Sequence, residues 1–420
     1  MSTAAINKCP IPDYLNEELI RETLRKEFKS EDIVVEEFDV SPATSAGDNY
    51  MSDVFRIPVK YRLSPTEQKS EHISFVVKCL PDTGSRGPVI DELNAFHKEA
   101  QMFTQVIPKL SKIAGDEFFA AKCFHTTEAP NRMLIFHDLK SLGYTMANRH
   151  AGLDFDHCAA IMKKIGKFHA ASMAYARENM DVMKKYFNFN MFNPDVDVRS
   201  DCINVVFEKG LGTLISIIEE SWHDFDPAIL EKLKKLHPVY VKKLEACLTQ
   251  KFEDGFKVLN HGDLWCNNML FKYDPTSNKL QDVVFVDYQI SYYSSPGIDI
   301  NYALSNCPNL ETRARVDELI GIYYQSLSET LGSINYPRIP TMADVQYEIR
   351  RMEFFSIVSV VSILPITMME KTDTMVVNFE SMVDEKQAEQ SRKIQYNGKK
   401  YQAIVRPLLK QFNDRHLLDV

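Results

Sequence analysis

A polar segment in the second half of the chain brings together side chains that suit phosphoryl transfer. It begins at His261, and Asp263 and Asn268 follow closely. An apolar run then ends at Asp287. Phosphoryl transfer requires a carboxylate that orients and deprotonates the attacking hydroxyl, and Mg²⁺ held by hard oxygen ligands. Asp263 suits the first role, while Asn268 and Asp287 suit the second.

A lysine in the first third of the chain supplies the cation that phosphate oxygens require. Lys78 lies in a short apolar run, Ser74–Pro81, which predicts a buried strand. A buried ammonium group is costly unless it is paired. Glu99, on the next predicted helix, is a suitable partner, and the phosphates of a bound nucleotide would share the same lysine.

The elements that must position these residues change in type along the chain. Three apolar runs before residue 140 predict strands, and residues at helical spacing between them predict a helix around Glu99. From about residue 142, apolar residues recur in steps of three and four, which indicates helices. A strand–loop–strand segment that carries Asp263 and Asp287 interrupts this helical half. Loops on a rigid scaffold often carry function, so we predict that the chemistry occurs there.

Length and composition favour a two-lobed soluble protein. At 420 residues the chain exceeds the roughly 250–300 residues at which one core usually stops growing. The net charge of −9 argues against nucleic acid as a partner, because phosphate backbones attract basic surfaces. The N-terminus lacks the apolar core of a signal peptide, and the apolar run from Phe354 to Ile366 is too short to span a bilayer. We therefore expect a cytoplasmic protein without a membrane span, in which this run is a buried helix.

The polar loop carries a recognisable motif. His-Gly-Asp-Leu-Trp-Cys-Asn-Asn, from His261 to Asn268, with the later Asp287-Tyr288-Gln289, resembles the catalytic loop and metal-binding aspartate of the aminoglycoside phosphotransferase and choline kinase superfamily. An upstream Gly-Asp-Asn-Tyr-Met-Ser that begins at Gly47 and a Phe-x-x-Glu helix narrow the resemblance to the ecdysteroid kinase-like family. It extends from Gly47 to about residue 370, which is nearly the whole chain.

The resemblance implies an α+β, protein kinase-like fold that binds ATP and Mg²⁺ between two lobes. The N-lobe, residues 1–138, would be a small antiparallel sheet with one helix. The C-lobe, residues 139–420, would be mainly helical and would form the acceptor pocket. The backbone of Phe136, His137, Asp138 and Leu139 would be the hinge that binds adenine.

The resemblance also implies a role for each residue of the polar site. Asp263 would be the catalytic base, and Asn268 and Asp287 would be the Mg²⁺ ligands. Lys78, held by Glu99, would contact the α- and β-phosphates. His261 would order the catalytic loop, and Asp299 would anchor it from the following helix.

The expected phosphate-binding loop departs from that of protein kinases, which is rich in glycine. The matching segment here contains one glycine, Gly47. Backbone N–H groups together with Ser45 or Asn49 would cradle the phosphates instead. The ecdysteroid kinase-like family is similarly poor in glycine at this position.

The acceptor implied by the family is a hydroxyl of a small apolar molecule, either an ecdysteroid or a related steroid or xenobiotic, the latter in detoxification. Two alternatives stay open. A choline- or aminoglycoside-like kinase would need acidic and aromatic residues around a cation, and Glu219 and Glu220 beside Trp222 keep that possibility open. A catalytically silent pseudokinase could act as a binding protein, but the presence of Lys78 and of the complete loop motif argues against it.

Overall fold

The N-terminal part of the chain folds into a six-stranded antiparallel sheet. The computed structural model describes residues 10–43, 52–80, 94–188, 207–249, 255–369 and 385–420. The strands are β1 (Val34–Phe38), β2 (Ser41–Pro42), β3 (Asp53–Arg62), β4 (Glu71–Cys79), β5 (Cys123–Thr127) and β6 (Met133–His137). Their order is β1–β3–β4–β6–β5, and β2 pairs with β3.

The two faces of this sheet are buried against different partners. Side chains alternate along a strand, so Phe55 on β3 and Phe75 on β4 share one face. Both pack in a core with helix α1 (Glu17–Phe28). Val54 and Lys78 occupy alternate positions on the same strands and line the cleft on the opposite face. The strand register therefore directs a lysine towards the cleft.

A helical segment packs beneath the cleft-facing side of the sheet. It consists of α2 (Ala95–Gln101), a π-helical turn (Met102–Val106) and α3 (Ile107–Ile113). The ring of Phe103 lies 4.5 Å from that of Phe136 on β6, measured between centroids. This contact fixes the helix against the sheet and places its first turns below β4.

Helices dominate the rest of the described chain. They are α4 (Phe155–Glu178), α5 (Met180–Asn188), α6 (Lys209–Ser221), α7 (Pro227–Leu236), α8 (Tyr240–Leu248), α9 (Gly297–Asn306), α10 (Leu310–Arg313), α11 (Val316–Ser333), α12 (Met342–Arg351), α13 (Phe354–Val358), α14 (Leu364–Met368), α15 (Glu385–Asn397) and α16 (Lys399–Asp414). A π-helical turn, Ser359–Ile363, joins α13 to α14. The α4 and α11 helices approach closely at Gly166, where a Cβ atom would lie 2.8 Å from the carbonyl oxygen of Tyr323.

Two small sheets hold the polar loop within this helical half. Their strands are β7 (Tyr144–Met146), β8 (Val258–Asn260), β9 (Met269–Tyr273), β10 (Leu280–Phe285) and β11 (Tyr292–Ser294). One sheet has the order β10–β9–β7, and in the other β11 pairs with β8. The polar loop runs from β8 to β9, and Asp287 follows β10. Both ends of the loop are therefore fixed by strand pairing.

This architecture confirms the predicted α+β, two-lobed protein kinase-like fold. The predicted lobe boundary after residue 138 lies between β6 and a 3₁₀ turn, Leu139–Leu142. The apolar run from Phe354 is helical and buried, as predicted. Within the described ranges no single helix is long and apolar enough to cross a membrane. Taken together, α12 and the α13–α14 segment have the length and composition of a membrane span, but they are bent by 52° relative to each other.

Candidate active site

Three charged side chains from separate elements meet at the base of the cleft. The ammonium nitrogen of Lys78 lies 2.7 and 2.9 Å from the two carboxylate oxygens of Glu99, and 2.9 Å from Oδ1 of Asp287. Burial lowers the pKa of Lys78, but the carboxylates of Asp287 and Glu99 outweigh this effect and hold it well above its usual range. The lysine is therefore a fixed positive charge in a water-poor environment.

Asp287 has an unusual backbone conformation. Its φ angle is +67°, a left-handed value that residues other than glycine rarely adopt. The preceding residue, Val286, donates a backbone hydrogen bond to the carbonyl of Asn268 at 3.0 Å. Backbone strain of this kind is found at ligand sites, where the surrounding structure holds it in place. The hairpin thus presents the Asp287 carboxylate next to the end of the polar loop.

Asp299 anchors the polar loop from helix α9. Its fully buried carboxylate accepts hydrogen bonds from the backbone N–H of His261 at 2.7 Å and of Gly262 at 2.9 Å. His169 on α4 lies 3.2 Å from the same carboxylate and 2.9 Å from the hydroxyl of Tyr323. One buried carboxylate therefore ties the start of the loop to two long helices.

His261 is held as a neutral ring. Its Nε2 lies 3.0 Å from the carbonyl oxygen of Val286 and therefore donates, and its Nδ1 accepts from the backbone N–H of Asp263 at 3.3 Å. Burial lowers the pKa of His261. Both ring nitrogens are occupied within the protein, so the histidine supports the loop.

Gly262 occupies a position that no other residue would fit. Its φ is +88°, and a Cβ atom there would lie 2.5 Å from the carbonyl oxygen of Ile290. The turn that follows His261 therefore requires glycine.

Asp263 is surrounded by neutral hydrogen-bond donors. The hydroxyl of Tyr302 donates to Oδ1 at 2.6 Å, while the indole N–H of Trp265 and the amide of Asn268 donate to Oδ2 at 3.2 and 2.8 Å. Burial raises the pKa of Asp263 to about 6, although the hydrogen bond from Tyr302 lowers it and the charge of Asp287 raises it further. The residue as a whole is half-buried.

A cavity of about 420 Å³ extends from Lys78 and Asp287 to the hinge. Lys78, Glu99, Asn268 and Asp287 form the charged part of its lining, which we call the inner end, and both polar and apolar side chains make up the rest. The apolar lining comes from both sides of the cleft and includes Val54, Val76, Phe136, Leu270 and Val286. A volume of this size is typical of cofactor sites.

The family comparison agrees with this geometry. The ecdysteroid kinase-like family matches residues 46–336. The chain belongs to the ecdysteroid kinase-like family. This confirms the resemblance seen in the loop motif and supports the predicted enzyme class, a small-molecule phosphotransferase.

Individual relatives of this ecdysteroid kinase-like chain are distant. A 70-residue segment is 30% identical to a 4-hydroxytryptamine kinase of Psilocybe cyanescens, and this match spans 17% of the chain and only 18% of that kinase. An ethanolamine kinase of Plasmodium vivax shares 14% identity with a TM-score of 0.42, over 89% of this chain and 84% of its own. An aminoglycoside phosphotransferase with ADP bound shares 16% identity with a TM-score of 0.34, over 81% of this chain and 99% of its own.

In this ecdysteroid kinase-like chain, the predicted hinge is hydrogen-bonded to other parts of the protein at Asp138. The backbone N–H of Asp138 donates to Ser74 at 2.9 Å, and its carbonyl accepts from Ser141 at 3.0 Å. Its carboxylate accepts from Arg56 at 2.7 Å. Asp138 therefore stabilises the hinge itself. The backbone N–H of His137 likewise donates to the carbonyl of Lys122 at 2.9 Å, and the binding of adenine by this segment stays a prediction.

Two other predicted features stand apart from the cleft geometry. Ser45 and Asn49 lie outside the described residues.

Trp222 is buried, and the guanidinium of Arg406 lies 4.5 Å from its ring centroid. Of the two acidic residues beside it, Glu219 forms an ion pair with Lys234 at 2.7 Å. A cation of the protein itself therefore covers this tryptophan.

The donor set fits MgATP. The amide nitrogen of Asn268 donates to both the carbonyl and the carboxylate of Asp263, which directs its amide oxygen away from that residue. Asn268 and Asp287 thus offer hard oxygen ligands. Within the described residues no cluster of three or more His, Cys, Asp or Glu could hold a metal. A cation here would complete its coordination with phosphate and water, as Mg²⁺ usually does.

Tyr302 is the contact at this site that sequence reasoning missed. It lies on α9, three residues after Asp299, and its ring stacks on Phe355 with 5.8 Å between centroids and 26° between planes. An aromatic residue in an apolar helix is usually core, so no local pattern indicated its bond to Asp263. Its spacing from Asp299 could have indicated this contact. Residues three apart share one face of a helix, and Asp299 was already expected to contact the loop.

Proposed function

We propose that this protein is an ATP- and Mg²⁺-dependent kinase that phosphorylates a hydroxyl of a small apolar molecule, an ecdysteroid or a related steroid or xenobiotic. The observation that carries this proposal is that a buried lysine and two oxygen ligands line one cleft, and that a carboxylate of raised pKa is hydrogen-bonded to one of those ligands. Lys78, Asn268, Asp287 and Asp263 occupy these positions. Membership of the ecdysteroid kinase-like family supports the same reaction class.

The inner end of the cleft would hold the phosphates. When bound, MgATP supplies the γ-phosphoryl group that is transferred. Lys78 neutralises phosphate oxygens, and Glu99 fixes its position from below. Asn268 and Asp287 provide oxygen ligands for the cation from two sides of one hairpin. The preorganised charges lower the cost of gathering negative charge in the transition state.

Asp263 would orient and deprotonate the acceptor hydroxyl. Its Oδ2 already accepts two hydrogen bonds, whereas Oδ1 accepts one, from Tyr302. Because a carboxylate oxygen can accept two hydrogen bonds, Oδ1 keeps a lone pair for the acceptor. A base with a pKa near 6 is ionised at neutral pH and can still accept a proton.

The surroundings of Asp263 support an apolar acceptor. The rings of Tyr302 and Phe355 stack beside its carboxylate, and both are buried in the core, so the packing around Asp263 is apolar. Trp222, which was considered as part of a site for a cationic acceptor, offers little to such an acceptor, because the guanidinium of Arg406 already lies over its ring. The preference for a steroid over other apolar alcohols follows from the family alone.

An acceptor panel tests the proposal. The purified protein would be incubated with ATP and Mg²⁺ and with ecdysteroids, apolar plant alcohols, choline-like amines or 4-hydroxytryptamine, and products would be identified by mass. We expect a phosphorylated ecdysteroid or apolar alcohol, formed about 10²–10⁴-fold more slowly by the Asp263→Asn variant. Faster turnover of choline or 4-hydroxytryptamine than of any apolar alcohol would reverse the acceptor assignment. Absence of ATP binding would contradict the kinase assignment itself.

A further inference from the structure

A buried lysine on α4 takes no part in the proposed reaction. The ammonium group of Lys164 forms ion pairs with Glu117 and with Asp282, the latter at 2.7 Å. It also donates a hydrogen bond to the carbonyl of Phe118 at 3.1 Å. Its side chain is 5% exposed, and a buried ammonium group is tolerated only where carboxylates and other acceptors replace its water. Lys164 therefore joins the segments to which these residues belong.

The two carboxylates come from opposite sides of the cleft. Glu117 follows α3, which continues from α2 through the π-helical turn, so it belongs to the helical segment that carries Glu99. Asp282 lies on β10, the strand that leads to Asp287. Lys164 therefore connects the helical segment of Glu99 to the hairpin of Asp287.

A second lysine connects the same two elements inside the cleft. Lys78 contacts both Glu99 and Asp287. In the proposed complex Lys78 and Asp287 would engage phosphate and metal, which weakens their contact with each other. Lys164 is not among the described residues that line the cavity, so its ion pairs stay intact there. It can keep the helical segment and the hairpin aligned while Lys78 changes partners.

Contacts next to this cluster strengthen the same junction. The carbonyl oxygen of Phe119 accepts hydrogen bonds from the backbone N–H of Phe285 at 3.2 Å and from the hydroxyl of Tyr288 at 3.1 Å. The ring of Phe119 also packs edge-on against Phe168 of α4, with 5.3 Å between centroids. The junction is therefore continuous from Lys164 to Tyr288.

We propose that Lys164 is a positioning residue of the nucleotide site, which holds the helical segment of Glu99 against the hairpin of Asp287 through its ion pairs with Glu117 and Asp282. The inference rests on the proposed use of MgATP. It adds a residue that does not touch the nucleotide, whose charge fixes the distance between the partner of the phosphate-binding lysine and the metal ligand.

Lys164→Met tests this, because it keeps the apolar stem and removes the ammonium group. Lys167→Met is the matched control, since Lys167 lies on the same helix and pairs with the same Glu117, but its side chain is 30% exposed. Calorimetry would measure the dissociation constant for MgATP. We expect Lys164→Met to bind about 2- to 30-fold more weakly than the parent, the range for residues that act on a ligand without touching it. Lys167→Met should stay within about twofold, because exposed ion pairs contribute little.

Hydrogen exchange provides a readout that needs no ligand. Backbone amides of α2 should exchange faster in Lys164→Met than in the parent or in Lys167→Met, because α2 loses part of its attachment to the hairpin. Unchanged exchange in α2 would overturn the inference, whether or not the protein binds ATP. A parent that does not bind MgATP, with faster exchange of α2 in Lys164→Met, would contradict the proposed kinase function and support the connection through Lys164.

A double variant separates positioning from stability. Loss of Lys164 leaves Asp282 as an unpaired carboxylate, which is destabilising by itself, whereas Glu117 keeps its ion pair with Lys167. Lys164→Met combined with Asp282→Asn removes that charge, and it also replaces the single variant if the latter does not fold. We expect thermal unfolding to return towards that of the parent while the affinity for MgATP stays reduced. Recovery of the affinity together with the stability would show that Lys164 is only structural and would overturn the inference.

Discussion

The two carboxylates that face each other across the polar loop are stabilised in different ways. Asp287 lies 2.9 Å from the ammonium group of Lys78, which in turn holds Glu99, so this side of the site is a network of full charges. Asp263 is instead held by three neutral donors, which belong to Tyr302, Trp265 and Asn268.

This difference separates binding from proton transfer. A carboxylate within a network of full charges suits the binding of a cation and of phosphates. A carboxylate that is buried among neutral donors binds a proton more readily, and burial raises the pKa of Asp263 to about 6. The charged side would therefore govern nucleotide binding, and the neutral side would govern the chemical step.

Removal of Asp287 should have the largest effect and should act on binding. We expect Asp287→Ala to abolish Mg²⁺-dependent ATP binding, because the variant loses a metal ligand while Lys78 remains paired with Glu99. Calorimetry with and without Mg²⁺ measures this. Asp274→Ala, which removes a carboxylate from the turn of the same hairpin, should bind ATP normally. Full Mg²⁺-dependent binding by Asp287→Ala would refute the metal assignment.

Asp263→Asn should act on the chemical step alone. A general base contributes about 10²–10⁴-fold to rate, so kcat should fall within that range while ATP affinity stays unchanged. The hydroxyl of Tyr302 can accept as well as donate, so the asparagine keeps its hydrogen bonds and the fold. The assignment fails if kcat remains within about twofold of the parent once chemistry has been shown to limit turnover, since product release often masks it.

Lys78→Met should weaken productive ATP positioning. The substitution keeps the apolar stem and removes a charge-assisted hydrogen bond, so kcat/KM for ATP should fall by about 10- to 100-fold. Glu99→Ala should show a milder form of the same defect, because Asp287 still holds the lysine. Steady-state kinetics and thermal unfolding measure both. A Lys78→Met protein that is unfolded would show that the lysine is structural.

Tyr302→Phe should have the smallest effect and should sharpen the contrast between the two sides. The variant keeps the ring on Phe355 and loses only the hydroxyl on Asp263, so kcat should fall by about 3- to 10-fold with KM for ATP unchanged. Tyr396→Phe is a control, since that hydroxyl is equally buried and donates to the carbonyl of Val361 at 2.8 Å. A change in KM for ATP without a change in kcat would contradict a positioning role for Tyr302.

The sequence predicted those parts of the site that depend on short spacings. Asp263 and Asn268 lie in one loop, so their meeting needs no knowledge of the fold. Lys78 and Glu99 were paired because a buried lysine needs a partner and a helix follows its strand. The structure places these pairs within hydrogen-bonding distance, while the roles assigned to them stay predictions.

Contacts between distant segments could not be predicted in this way. Tyr302 reaches Asp263 only because α9 packs against the loop. The carboxylate of Asp138 accepts a hydrogen bond from Arg56 because β3 carries that arginine to the hinge. Lys164 stands next to another lysine in the sequence, and only its burial in the fold sets it apart. These residues depend on tertiary packing, which leaves no local pattern in the sequence.

The close approach of Gly262 to Ile290 has a consequence for altering this protein. Any side chain at position 262 would push the loop off the segment that leads into β11, and the carboxylate of Asp263 would move with it. Mutant libraries that aim at new acceptors should therefore leave this turn unchanged.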